Sequence, residues 1–164
     1  RYRSQLRDGD MAFHLGTKSL KILGEVHPDL QKVVNLAIQL TDTDFTVLEG
    51  LRSKTRQAQL VAAGSSKTMD GRHLTGHAVD LGAWIDNKVS WDWDHYYKIA
   101  TAMKRAAAQL NIPIVWGGVW DKSLVSLGDT RAAVASYVAS RKAMGRAAFI
   151  DGPHFELQRS EYPK

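Results

Sequence analysis

At 164 residues, with 44% hydrophobic and 24% charged side chains, the chain has the size and balance of one globular domain that needs no covalent staples. It has no cysteine, which excludes disulfides and thiolate metal sites and leaves His, Asp and Glu as the available metal ligands. The formal net charge of +5 suits a polyanionic surface, such as a bacterial envelope or nucleic acid, and no apolar run approaches the roughly 18 residues that cross a bilayer.

In chain order, residues 1–10 (RYRSQLRDGD) are polar and basic and carry no secretory-signal pattern. They read as a leader or disordered arm, with a single domain over 11–164. Pro28 opens a helix after His27, Asp29 adds a favourable charge to its first turn, and Leu30, Val33, Val34, Ala37 and Leu40 recur at helical spacing. DFTVLEGL then alternates as a strand over about 44–49. Ser53 caps a second helix that stops at Gly64, and residues 64–71 have loop composition. HAVDLGAW reads as a strand that ends in a turn at Asp86-Asn87. A long helix starts near Trp93 or Asp94 and stops at Asn111. IPIVW, 112–116, is a short buried strand closed by Gly117-Gly118, residues 129–144 form an Ala-rich helix, and HFEL alternates as a last strand. Strands and helices do not alternate regularly, which predicts an α+β domain with a small, largely antiparallel sheet.

The chemistry concentrates in HLTGHAVDLGAW. His73 and Asp80 are seven residues apart, and on a continuous strand an odd separation puts two side chains on opposite faces. Both reach one ion only if the chain bends between them, and Gly76 permits that bend. His77, just past the bend, is read as pointing elsewhere. A catalytic zinc takes three protein ligands and keeps one position open. Among the remaining histidines, His14 lies near the arm, His27 precedes a helix start, His95 sits in a helix, and His154 lies in DGPHFEL. Asp151, three residues before His154 across a Gly-Pro turn, is a candidate proton acceptor for an attacking water, and Arg52 a candidate cation for the developing oxyanion. Each position also has a plainer reading. His73 and Asp80 fit a turn histidine and an ion-paired strand aspartate, Asp151 a turn starter, and Arg52 surface charge. Glu156 fits a polar strand position or a partner of a ligand, and Trp84, Trp116 and Trp120 fit core or cleft aromatics.

Taken together, SLKILGEVHPDLQKVV, the block from Asp44 to Trp84, VWGG and FIDGPHFEL resemble the zinc-dependent D-Ala-D-Ala carboxypeptidase and L-alanyl-D-glutamate peptidase superfamily, in its phage endolysin branch. The likeness runs in order from Leu15 to Leu157, and the pair HxxGxAxD and DxxHFE is its specific part. The resemblance implies one zinc ion on His73, Asp80 and His154, Asp151 as general base, Arg52 as the carbonyl or carboxylate contact, and Gln57 as a substrate neighbour. It also implies a small α+β domain whose mostly antiparallel sheet carries the zinc. The implied substrate is the peptidoglycan stem peptide, cut at L-Ala–D-Glu, with no nucleic-acid partner and no transmembrane segment. The protein would act as a monomer, held in the host cytoplasm until lysis lets it reach the wall. The alternatives are a D-Ala-D-Ala carboxypeptidase or dipeptidase with the same machinery, and a non-catalytic zinc-stabilised wall-binding module. Two features depart from the family. Gly71 stands where a serine is usual, and the segment between Trp120 and Asp151 is long, read as an elaboration beside the site and a candidate cleft wall.

Overall fold

The computed structural model describes residues 3–5, 11–66 and 71–164. Of the arm expected over 1–10, Arg3–Gln5 (β1) is a strand paired antiparallel with Met11–Phe13 (β2); the rest lies outside the described residues. Next come the helices Thr17–Leu23 (α1) and Pro28–Leu40 (α2). In α2 the periodic apolar positions Leu30, Val33, Val34 and Ala37 are fully buried. The side chain of His27 caps α2 by accepting the Asp29 N–H, a first-turn donor that has no partner within the helix. The helix α1 has no counterpart in the periodicity reading, because one buried leucine and one buried serine in seven residues leave no stripe to detect.

The strand Phe45–Glu49 (β3) leads to Lys54–Ala62 (α3), whose N-cap Ser53 accepts from the Arg56 N–H as expected. A 3-10 turn, Arg72–Thr75, precedes Ala78–Ile85 (β4), and Asp86 and Asn87 adopt the left-handed conformation of a tight hairpin turn. That turn returns a short strand, Lys88–Ser90 (β5), which the sequence reading did not anticipate. The long helix Trp93–Leu110 (α4) ends on left-handed Asn111, and Ile114–Trp116 (β6), Thr130–Ala143 (α5) and His154–Leu157 (β7) complete the chain.

The main sheet runs β3-β4-β7-β6, with β5 paired to β4, and every pairing is antiparallel. One face meets α2 and α4 through Phe45, Val47, Val79, Leu81, Phe155 and Leu157, all buried in one core. Period-two alternation sends Asp80, His154 and Glu156 to the other face. The strand β3 would by the same rule carry Glu49 into the core beside Val47. A register shift between Val47 and Glu49 prevents this, since Val47 pairs with Leu81 and Glu49 with the very next residue, Asp80. The extra residue, Leu48, is a β-bulge that turns Glu49, and the Arg52 that follows, toward the face of Asp80. Leu48 lies against Gly82, where any side chain would collide with it. Helix α5 packs on α4 through Thr130, Val134 and Tyr137.

Candidate metal centre

His73 sits on the 3-10 turn, which Gly76 ends in the left-handed conformation at φ 73°. The bend expected at this glycine is thus present, and it is pinned by the His27 N–H donating to the Gly76 carbonyl at 2.8 Å. Asp80 lies on β4 and pairs in register with His154 on β7. One ligand atom from each of His73, Asp80 and His154 lies within 4.8 Å of the others, a set that could hold a metal ion.

The tautomers decide what these atoms offer. His73 Nδ1 donates to the Gly50 carbonyl at 2.8 Å, so its Nε2 presents a lone pair, 3.2 Å from Asp80 Oδ1. His154 lies between two carboxylates, and in the neutral ring the shorter contact, Nε2 to Glu156 Oε1 at 2.8 Å, takes the N–H, so that Nδ1, 3.3 Å from Asp80 Oδ1, presents the lone pair. Two imidazole lone pairs and a carboxylate oxygen aimed at one point are three acceptors without a donor. That arrangement is stable only around a cation or around added protons, and nitrogen and oxygen donors in this number suit a divalent metal. The second of these, added protons, is what the electrostatics favour. Burial disfavours charge on His154, but its bonds to Asp80 and Glu156 outweigh burial and raise its pKa to about 10. Burial would raise Asp80, yet the His73 charge and the bonds to both histidines hold it far below the usual carboxylate range.

Arg52 is buried beside this cluster. Its Nη2 donates to Asp80 Oδ2 at 3.3 Å and its Nη1 to Gln57 Oε1 at 2.8 Å, while Gln57 Nε2 donates to Ser66 at 2.9 Å. The guanidinium therefore holds the second oxygen of Asp80 and leaves the first for the histidines. Gln57, buried on α3, holds the guanidinium in turn.

Asp151 is carried by a turn in which the His154 N–H donates to its carbonyl at 3.1 Å across Gly152 and Pro153. Gly117 exchanges two backbone bonds with this turn, both 2.8 Å, and passes so close that an added Cβ would stand 2.2 Å from the Asp151 carbonyl oxygen. Gly117 of VWGG is thus a positioning residue that the sequence reading saw only as a strand end. Burial, and then the Asp80 charge, raise the Asp151 carboxyl above its ordinary range, with His154, His73 and Arg52 opposing.

All six expected site residues, Arg52, Gln57, His73, Asp80, Asp151 and His154, line one cleft of about 810 Å³. Gly71, Trp91, Trp120 and Phe149 line it too. Trp120 lies over His154 with ring centroids 5.1 Å apart and is held by its Nε1–H to the Phe149 carbonyl at 2.7 Å. Trp116 is core, and Trp84 belongs to a separate hollow beside Asp44 and His95. The Ala-rich helix is not a cleft wall: α5 supplies none of the lining residues, and only the flanking Trp120 and Phe149 reach the cleft. Its inward Thr130, Val134 and Tyr137 pack against α4, while most of its small residues face solvent.

Fold and site together define a class: a small α+β domain with a His-Asp-His set that could hold a metal ion on the open face of an antiparallel sheet, and a further carboxyl beside it. Residues 11–158 match the family of phage L-alanyl-D-glutamate peptidases. The L-alanyl-D-glutamate peptidase of Escherichia phage T5 is 35% identical over 117 residues, covering 69% of this chain and 85% of that protein. A second, of Listeria phage A118, is 24% identical over 119 residues, covering 73% of this chain and about a third (32%) of the longer relative. The crystal structure of the Serratia marcescens L-Ala D-Glu endopeptidase ChiX superposes with a TM-score of 0.71 at 39% identity, covering 92% of this chain and 95% of that one. The chain belongs to the phage L-alanyl-D-glutamate peptidase family.

Proposed function

We propose that this protein is a zinc-dependent endopeptidase that hydrolyses the L-Ala–D-Glu bond of the peptidoglycan stem peptide. The observation that carries the reading is the convergence of His73 Nε2, Asp80 Oδ1 and His154 Nδ1 in a cleft that also holds the raised carboxyl of Asp151. Family membership supports the scissile bond and the wall substrate. The nitrogen- and oxygen-only donor set supports zinc.

His73, Asp80 and His154 would hold the zinc, which when bound polarises the scissile carbonyl and acidifies water. Asp151 takes the proton of the attacking water on its carboxylate and returns it to the departing amine of D-Glu. A carboxyl held above its ordinary range suits this double duty, since it is a better base and still gives the proton back. Arg52 keeps Asp80 in place and presents positive charge to the carbonyl oxygen as it becomes an oxyanion. Gln57 fixes the angle of Arg52. Trp120 covers one side of His154 and limits water there. The reading extends to a phage lysis enzyme, held in the host until the membrane opens, whose net positive charge favours the anionic envelope.

The test is digestion of purified murein followed by mass spectrometry, with and without a chelator. The expected products are stem peptides beginning at D-Glu, formed only while metal is present. Release of terminal D-Ala alone would replace this reading with a carboxypeptidase, and binding of murein with no cleavage would replace it with a wall-binding module.

A further inference from the structure

The two histidines of the metal set differ in what holds their outer nitrogens. His73 leans on a neutral acceptor, the Gly50 carbonyl, whereas His154 leans on an anion, Glu156, each at 2.8 Å. Glu156 reaches His154 because residues two apart on a strand share a face. It is braced from behind. Its other oxygen, Oε2, lies 3.8 Å from Arg72 Nε, and both side chains are largely buried. Arg72 is the residue immediately before His73. Its Nη2 donates to the Leu157 carbonyl at 2.9 Å and to the Tyr162 carbonyl at 2.6 Å. One guanidinium therefore joins the turn that carries His73, the strand that carries His154, and the segment after it. Arg72 also has two buried nitrogens, Nε and Nη1, without a hydrogen-bond partner among the described residues. A buried cation that leaves donors unmet is costly, and the contact that offsets it here is the charge of Glu156.

We propose that Glu156, braced by Arg72, is a positioning residue that locks His154 with Nδ1 facing Asp80 and so sets how tightly the site binds its metal. The inference rests on the metal-dependent reading above. An anionic partner on the far nitrogen fixes the tautomer and makes the near nitrogen a stronger donor, and loss of such a partner typically weakens metal binding by roughly 10–100-fold. His73, with a carbonyl behind it, gains only the tautomer. The site thus has one strongly supported nitrogen donor and one weakly supported one.

The experiment is a zinc titration of the full chain against a chromophoric chelator, comparing the unaltered protein with Glu156→Gln. The variant keeps the shape and an oxygen acceptor but loses the charge. Its zinc affinity is expected to fall roughly 10–100-fold. Because the charge that offsets buried Arg72 is also lost, the metal-free variant should melt at a lower temperature, and the titration is run at a temperature where both proteins are folded. Turnover at limiting zinc should fall with affinity, and kcat should recover at saturating zinc. An unchanged affinity in Glu156→Gln overturns the proposal. So does a kcat that stays low at saturating zinc, because that places Glu156 in the chemistry rather than behind the ligand. A second measurement needs no variant: nitrogen chemical shifts of the zinc-loaded protein should put the proton of His154 on Nε2 and the metal on Nδ1, and the reverse assignment overturns the proposal. A protein that takes up no zinc at all would instead end the functional reading itself.

Discussion

Two histidine pairs flank the same short turn, and only one of them belongs to a set that could hold a metal ion. His73 and His154 stand with ring centroids 5.1 Å apart, and His27 and His77 stand 5.6 Å apart. By residue type and distance they are nearly the same object. Their hydrogen bonds separate them. With the rings neutral, both of the first pair spend their N–H outward, on Gly50 and Glu156, and point lone pairs at the Asp80 carboxylate. In the second pair, His27 Nδ1 has already spent its lone pair on the Asp29 N–H, and its ring packs edge-on against Tyr162. His77 is hydrogen-bonded to the Thr75 hydroxyl at 2.6 Å, and among the described residues no carboxylate completes a metal-ligating set with these two rings. Proximity of imidazoles does not make a metal centre; convergence of free acceptors on an anion does.

The largest expected effect tests that contrast directly. His154→Ala should abolish stoichiometric zinc and all measurable turnover, while His27→Ala retains one zinc per chain by elemental analysis. A His27→Ala protein that loses its metal would break the distinction between the pairs. Asp151→Asn should come next: metal content unchanged, kcat down by roughly 10²–10⁴. Near-normal turnover would remove Asp151 from proton transfer. Gly117→Ala should follow, because its Cβ would meet the Asp151 carbonyl at 2.2 Å and must displace the turn. Overpacking of this kind costs about 1–3 kcal/mol, so the melting temperature drops, and kcat should fall further than that loss of stability explains. The smallest effect belongs to the second pair. Burial, and then the charges of Arg72 and His27, lower the pKa of His77 from its ordinary 6.5. Above 6.5 the ring is neutral folded and unfolded, and it contributes no pH dependence. As pH falls below 6.5 the unfolded chain takes up the proton first, so stability declines toward the lowered folded value. His77→Gln should flatten that part of the stability–pH curve in thermal melts; an unaltered slope would show that His77 is not the group responsible.

Much of this protein was open to reading in its sequence. The helices α2, α3, α4 and α5 announce themselves through periodicity and through stop or cap residues such as Ser53 and Asn111, all of which act within a few residues of chain. The site residues could be nominated because metal chemistry restricts the residue types, and because Gly76 is needed where His73 and Asp80 must bend toward each other. Short elements without a stripe, α1 and β5, were not legible, since their existence depends on what they pack or pair against.

What the tertiary structure alone decided is parity and partnership. The bulge at Leu48, which turns Glu49 and Arg52 toward the cleft, is a matter of register against β4, and a single strand carries no record of its neighbour's register. The task of Gly117 depends on a turn more than thirty residues further along, and the absence of α5 from the cleft depends on its packing against α4. Which nitrogen of each histidine is free depends on Gly50 and Glu156. Local physics is written in consecutive residues, whereas the direction of a lone pair is settled only when distant parts of the chain meet.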